Sequence, residues 1–293
     1  MNYAVLTPAR DEAAELPRLA RCLAEQTVPP AQWIVIENGS TDGTGEAAAA
    51  LASEHRWVRV VNAAPGPPRL RGAPVVRALH AGVAALEQRF DVVAKVDADV
   101  SLDPDYFERL LHAFAADPTL GLAGGGCVEL VDGAWRERPV TGKHVWGAAR
   151  AYRWACLHDV LPLDERMGWD GLDQIRAATR GWKVERVAAL QFRHHRREGA
   201  RDESRLRVWA AQGSAAHYMG YRVSYLVLRT LHRARREPAA IAILGAYLAA
   251  TLRREPRCPD VEVREQLRRQ QRARHLFARA RELRVPAEAP HSG

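Results

Sequence analysis

Val92-Val93-Ala94-Lys95-Val96-Asp97-Ala98-Asp99 is the stretch that decides the fold class. An apolar run of strand length, broken only by Lys95, ends in two carboxylates. Aspartates two residues apart can both reach one divalent cation, and hard oxygen ligands suit Mg2+ or Mn2+. The competing reading of Asp-x-Asp after a strand is a turn with a helix cap. Asp103-Pro104 follows as a helix start, with proline expected at the first helical position and the helix expected to end near Ala116.

Toward the N-terminus the same strand signal recurs. Residues 3–7 form a short β-rich run, and Ala13, Leu16, Leu19, Ala20 and Leu23 then repeat at helical spacing. Residues 33–36 make a second strand and end in the polar turn Glu37-Asn38-Gly39-Ser40-Thr41-Asp42-Gly43-Thr44. An alanine-rich helix to about Ser53, a strand over residues 57–61 and a helix over about 75–88 complete the series. The proline-rich residues 64–74 read as a loop. Alternating strands and helices predict a parallel sheet with crossover helices, in which ligands bind at the carboxyl ends of strands. Three polar clusters fall at such ends: residues 7–12, 37–44 and 97–99.

Beyond Gly126 the pattern loosens. A helix is expected over residues 170–179 and a strand over 184–190, and after about Arg201 the pattern is helical throughout. The expected fold class is therefore α/β: a mostly parallel sheet flanked by helices over residues 1–200, with halves 1–100 and 101–200. A helical extension follows over residues 201–293.

Hydrophobic residues make up 47% of the 293 and charged residues 27%, which excludes a disordered or fibrous chain. The four cysteines lie far apart without CxxC spacing and read as reduced thiols in a cytoplasmic protein. No basic stretch followed by an apolar one opens the chain, so a signal peptide is not expected. The net charge of +8 is uneven. Residues 201–293 carry 19 arginines, no lysine and 9 acidic residues, a net of +10. Such a half implies an acidic partner or simply a solvated helical surface.

The ordered set of motifs resembles the family 2 glycosyltransferases of the GT-A fold. The set consists of Thr7-Pro8-Ala9-Arg10-Asp11-Glu12, the turn from Glu37 to Thr44, Gly72 with the Ala78-Leu79-His80-Ala81-Gly82 ending, and Val96-Asp97-Ala98-Asp99. The resemblance covers roughly residues 1–200. It implies transfer of a sugar from a UDP-, dTDP- or GDP-linked donor to a sugar or lipid-linked acceptor, with inversion at the anomeric carbon and a Mn2+ or Mg2+ cofactor. Carried over, Pro8, Ala9 and Glu12 would line the base and ribose, and Glu37 or Asn38 would hydrogen-bond the base. Arg71 and Arg77 would contact phosphates. Asp99 would ligate the metal directly, while Asp97 would bind ribose or the ion's water shell. The chain departs from the family where Glu37-Asn38 replaces an aspartate pair, where Pro74 stands near an expected glycine, and where Trp169 replaces a frequent glutamate.

Gly168-Trp169-Asp170-Gly171-Leu172-Asp173 resembles the acidic motif that opens the family's acceptor-side helix. Asp170 is the candidate general base, Asp173 its competitor one helical turn on, and a helix cap the bland reading of either. In Phe192-Arg193-His194-His195-Arg196-Arg197, a histidine resembles the one that completes the family's metal site. His194 is the first choice and His195 the second.

Aromatic and arginine residues interleave over residues 205–232, and residues 238–252 are apolar yet too short to span a bilayer. Both features suit an anionic membrane surface on the inner face, with a helical cap or homodimer contact as the alternative. No nucleic-acid-reading motif is present, so nucleic acid is not an expected partner. A non-catalytic interaction module built on the same fold is the main rival from another class.

Overall fold

The computed structural model describes residues 1–64, 72–131, 133–138, 144–196 and 204–272. It divides into two compact units, Met1–Arg138 with Val145–Glu203, and Pro139–His144 with Ser204–Gly293.

The first unit is built on one sheet. Its strands are β1 (Tyr3–Ala9), β2 (Gln32–Glu37), β3 (Val58–Asn62), β4 (Val92–Val96), β5 (Val100–Leu102), β6 (Leu120–Val131), β7 (Ala134–Glu137), β8 (Ala149–Arg153) and β9 (Lys183–His194). The helices are α1 (Leu16–Ala24), α2 (Thr44–Glu54), α3 (Ala73–Ala84), α4 (Tyr106–Ala116), α5 (Trp154–Val160) and α6 (Trp169–Thr179). The strand order is β3-β2-β1-β4-β8-β6-β9-β5, and β7 pairs with β6. Pairing is parallel from β3 through β4, as the alternating pattern predicts, and mixed beyond it.

Successive residues of a strand face opposite sides of the sheet, and the two cores follow that rule. Val5, Trp33, Val35, Val92, Ala94 and Val96 pack with α1, α2 and α4 on one face. Ala4, Leu6, Ile34, Ile36 and Val93 pack with α3, α5 and α6 on the other. Strands covered on both faces read as continuous apolar runs, which is why β1, β2 and β4 were plain in the sequence.

Several boundaries differ from the sequence reading. Pro74 lies in the first turn of α3 rather than in a loop, where its missing N–H costs nothing. Asp103-Pro104 forms a turn closed by the Tyr106 N–H donating to the Asp103 carbonyl, and α4 begins only at Tyr106. The glycine-rich stretch from Leu120 is a buried strand. A β-carbon on Gly124 would stand 2.6 Å from the Ala149 carbonyl oxygen, and one on Gly125 2.8 Å from that of Leu190. Glycine here permits close strand packing on both sides.

Two registers place the site. β8 runs antiparallel to β4 with Val96 opposite Ala149, and the Asp97 N–H donates to the Ala148 carbonyl at 2.8 Å. β9 sets His194 opposite Val100 of β5 and also opposite Glu129 of β6. The His195 N–H donates to the Asp99 carbonyl at 2.9 Å.

The second unit is helical where described: α7 (Arg205–Tyr218), α8 (Val223–Ala234), a 3-10 turn (Pro238–Ile241), α9 (Ala242–Leu252) and α10 (Val261–Gln270). Ala216, Leu226, Ala240 and Ile243 form its core, with Trp209, Tyr221 and Tyr247 packed around them. Asp260 caps α10 by accepting from the Val263 N–H. Among the described residues no helix is long and apolar enough to cross a membrane.

Candidate active site

The carboxyl ends of β1, β2 and β4 open onto one edge of the sheet, and β9 brings its last residues to the same edge. Asp99 is buried there, its Oδ1 3.3 Å from His194 Nε2. His194 Nδ1 points the other way, 3.7 Å from Glu129 Oε1. Cys127, Glu129 and His194 offer three donor atoms within 4.8 Å of one another. His195 faces elsewhere: its Nε2 is 2.6 Å from Ser101 Oγ and its ring meets Trp135 edge-on. Of the adjacent histidines, His194 is therefore the one that meets Asp99.

Charge is balanced closely around this pair. Burial disfavours the Asp99 carboxylate, but the His194 hydrogen bond and the charges of His194, Arg196 and Lys95 outweigh it and hold the carboxyl below its usual range. Burial likewise disfavours the imidazolium of His194. Its hydrogen bonds to Asp99 and Cys127, with the charges of Asp99 and Asp97, prevail and push its pKa up to about 10. Asp97 behaves oppositely. Its recessed position raises its carboxyl, neighbouring Asp99 raises it further, and Lys95, with Nζ 2.6 Å away, pulls back. Lys95 also donates to the Gly147 carbonyl at 2.5 Å. Glu12 is paired with Arg196 through both oxygens, at 3.0 and 2.9 Å.

The donor atoms fit a divalent cation. A carboxylate oxygen and an imidazole nitrogen face one another, and with the ring's proton displaced this hard-oxygen and imidazole pair suits Mn2+ or Mg2+.

Asn38, at the end of β2, is buried, and its Nδ2 donates to the Pro74 carbonyl at 3.3 Å. That bond fixes the amide's orientation, because two carbonyl oxygens cannot hydrogen-bond each other. Asn38 Oδ1 is buried and finds no partner among the described residues. Glu37 closes its own turn by accepting from the Ser40 N–H at 2.5 Å. Burial raises its carboxyl, but hydrogen bonds from Ser40, Gly39 and Asn38 more than offset this and lower it. Pro8 is half-buried and Ala9 buried at the end of β1. Arg77 Nη1 pairs with Glu165 at 3.0 Å, while its Nε and Nη2 are buried without partners among the described residues. Arg71 lies outside the described residues.

Asp170 stands in the first turn of α6. The site of a β-carbon on Gly147 lies only 2.9 Å from Asp170 Oδ2, so the carboxylate packs against the loop that precedes β8. The Asp170 carbonyl accepts from Arg150 Nη2 at 3.1 Å and from Gln174 Nε2. Asp173 is fully buried. It accepts from Arg150 at 2.5 Å, from the Tyr152 hydroxyl and from the Gln174 N–H at 2.6 Å. Burial opposes the Arg150 charge, but the adjacent Asp173 holds the guanidinium firmly charged. Asp170 is the more open of the two carboxylates. Trp169, where a family glutamate often stands, lies under Lys95 and Arg150, 5.9 and 5.2 Å from its ring centroid.

Lys95, Cys127, Glu129, Arg150 and Arg196 take part in this arrangement without having been singled out by the sequence. Lys95 and Arg150 carried a signal, each a cation inside an otherwise buried strand. Glu129 and Cys127 carried none, because only the β6–β9 register brings them to His194.

Comparison with known proteins decides the lineage. Residues 4–154 match the model of glycosyl transferase family 2. The chain belongs to that family. The family 2 chain is 33% identical over 109 residues to the succinoglycan biosynthesis protein ExoA of Rhizobium meliloti, covering 37% of this chain and 31% of that one. It is 32% identical over 123 residues to the undecaprenyl-phosphate mannosyltransferase of Micrococcus luteus, covering 41% and 48%. The matches thus span less than half of either relative. Among solved structures, the mannosyltransferase PcManGT of Pyrobaculum calidifontis, in complex with GDP-Man and Mn2+, superposes with a TM-score of 0.54 at 15% identity, covering 96% of this chain and 84% of that one. TarS 1-349 of S. aureus, in complex with UDP, gives 0.54 at 15% identity, covering 74% and 65%. These likenesses establish the GT-A fold.

Proposed function

We propose that this family 2 chain transfers a sugar from a nucleotide-sugar donor to an acceptor hydroxyl, with a divalent cation bound at Asp99 and His194. The observation that carries the reading is the approach of Asp99 Oδ1 to His194 Nε2 at the carboxyl edge of the parallel strands, the edge on which Asn38 also lies. Family membership supports it, as do the fold relatives whose structures hold UDP, or GDP-Man with Mn2+.

In this reading Asn38 Oδ1 accepts an N–H of the base, with Pro8, Ala9, Glu12 and Glu37 around the base and ribose. Arg71 and Arg77 would contact the phosphates, and Asp97 the ribose or the ion's water shell. A bound Mn2+ or Mg2+ supplies charge neutralisation for the departing diphosphate. Asp170 takes the proton of the acceptor hydroxyl as the new C–O bond forms at the anomeric carbon. The bond from that carbon to the diphosphate oxygen breaks, and the nucleoside diphosphate leaves with the electron pair. Attack from the face opposite the leaving group inverts the centre. The Asp173–Arg150 pair holds the backbone of Asp170 and does not itself exchange protons with substrate.

The experiment is a thermal-shift screen of UDP, dTDP and GDP, each with and without Mn2+, on wild type and Asp99→Ala. Ligand at about 100 times its Kd adds about 2.7 kcal/mol of stability. Stabilisation by one nucleotide only with metal, abolished in Asp99→Ala, supports the donor site and identifies the base. No stabilisation under any condition overturns the reading and favours a non-catalytic module.

A further inference from the structure

Helix α9 is apolar on all sides, although a helix of that kind is normally enclosed. Its buried side is accounted for: Ile243 and Ala250, both about 1% exposed, sit in the core of the helical unit. At 3.6 residues per turn, Gly245, Leu248 and Leu252 fall on the opposite side, and Ile241 precedes them by one turn. Ile241, Leu248 and Leu252 are 54%, 57% and 74% exposed. A β-carbon on Gly245 would meet nothing within 4 Å, so the middle of the stripe is open.

Cations flank the stripe at both ends. Arg235 and Arg236 precede it, and Arg253, Arg254 and Arg257 follow it, all exposed. Between residues 233 and 257 there are six arginines and only two glutamates. We infer that this face of α9 docks in plane on an anionic lipid surface, with Ile241, Leu248 and Leu252 entering the acyl boundary and the flanking arginines meeting phosphate headgroups. The charge pattern selects lipid over a second copy of the chain. A two-fold contact along the stripe would set one arginine end against the other, like charge on like. At 11 residues α9 is too short to span a bilayer, so it rests on one. The inference stands independently of the transferase reading, because it draws on no residue of that site.

The test is flotation of the full chain with phosphatidylcholine vesicles, with and without phosphatidylglycerol, at low and high salt. Light scattering of the free protein is recorded alongside. Wild type is expected to float with the anionic vesicles, less so at high salt, and to remain with the protein fraction when vesicles are neutral. The double variant Leu248→Glu/Leu252→Glu should lose binding by roughly tenfold or more while keeping its helical circular dichroism. Leu248→Gln/Leu252→Gln serves if the charged pair fails to fold. Arg253→Gln/Arg254→Gln should weaken binding by about fivefold per arginine at low salt. Three outcomes overturn the inference: no flotation of wild type, equal flotation of the folded leucine variants, or a wild-type dimer that those variants convert to monomer. The last would make the face a contact between copies.

Discussion

Arg150 and Asp173 face each other at 2.5 Å with at most 1% of either side chain exposed, and the same guanidinium donates to the backbone carbonyl of Asp170. One buried ion pair therefore holds the start of the helix on which the more open carboxylate stands. Arg150 also donates to the carbonyls of Val145 and Trp146, at 2.5 and 3.2 Å, so its donors are used on the backbone just before Gly147. Network and base candidate are mechanically linked but chemically distinct.

That separation predicts opposite phenotypes for two aspartates three residues apart. Asp170→Asn should lower kcat by about 10²–10⁴-fold, the usual worth of a positioned general base, with little change in melting temperature. Asp173→Ala leaves the Arg150 charge buried and unpaired and should cost about 3–5 kcal/mol in a urea melt. If Asp170→Asn retains full turnover, the proton goes elsewhere.

Two glycines sharpen the same point. Gly147→Ala places a methyl 2.9 Å from Asp170 Oδ2, the far end of a side chain that can swing away. Stability should change little, while kcat should fall by up to about 100-fold, because misplacing a reacting group by about 1 Å costs that much. Gly72→Ala instead drives a β-carbon to 2.5 Å from the backbone of Arg166, at a φ of +83°. Neither constraint can relax cheaply, so a loss of about 1–3 kcal/mol in a denaturant melt is expected.

The parallel half of the fold was legible because its information is local. Each of β1, β2 and β4 is a short apolar run whose polar residues gather at one end, and each helix between them carries its own period. The mixed half was not. Gly124 and Gly125 carry no strand signal of their own, although in β6 they serve the close approach of β8 and β9. β5 is only three residues long, and its pairing with β9 has no local signature. The site divides in the same way. Asp97, Asp99 and Asn38 sit where a strand end puts them. The meeting of Asp99 with His194, and of His194 with Glu129, depends on strand registers across 95 and 65 residues of sequence, and no spacing rule encodes them.

His80 gives a pH dependence with a definite sign. Its Nε2 accepts from the Leu163 N–H at 3.0 Å, which requires the neutral ring, and burial lowers its pKa despite the opposing pull of Glu165. A histidine depressed in the folded state binds its proton more readily when unfolded. The stability it contributes is present above its ordinary pKa of about 6.5 and is lost as pH falls through its folded value. Urea melts at pH 7.5 and 5.5 should show a smaller acid loss for His80→Gln than for wild type. The half-buried position keeps the difference below the limit of about 1.4 kcal/mol per pH unit for one proton. An identical loss in both proteins would mean that the ring protonates freely in the fold.

Asn38 should set which bases bind. Its amide nitrogen is committed to the Pro74 carbonyl, so Oδ1, without a partner among the described residues, presents an acceptor and no donor to a ligand. Uracil, thymine and guanine each carry a ring N–H that can satisfy it, whereas cytosine and adenine offer only an exocyclic amine, which reaches the oxygen only if the ring shifts from that position. A site built around a buried hydrogen bond rejects ligands that leave the group unpaired. Wild type should therefore bind UDP, dTDP or GDP more tightly than CDP or ADP by calorimetry. Asn38→Leu removes the acceptor and should narrow that gap by about 1–3 kcal/mol, the cost of stranding such a group. Asn38→Asp keeps an acceptor but sets a carboxylate against the Pro74 carbonyl, so it should lose stability while retaining the preference. If CDP binds wild type as well as UDP, the oxygen of Asn38 does not read the base, and Glu37 becomes the residue to test.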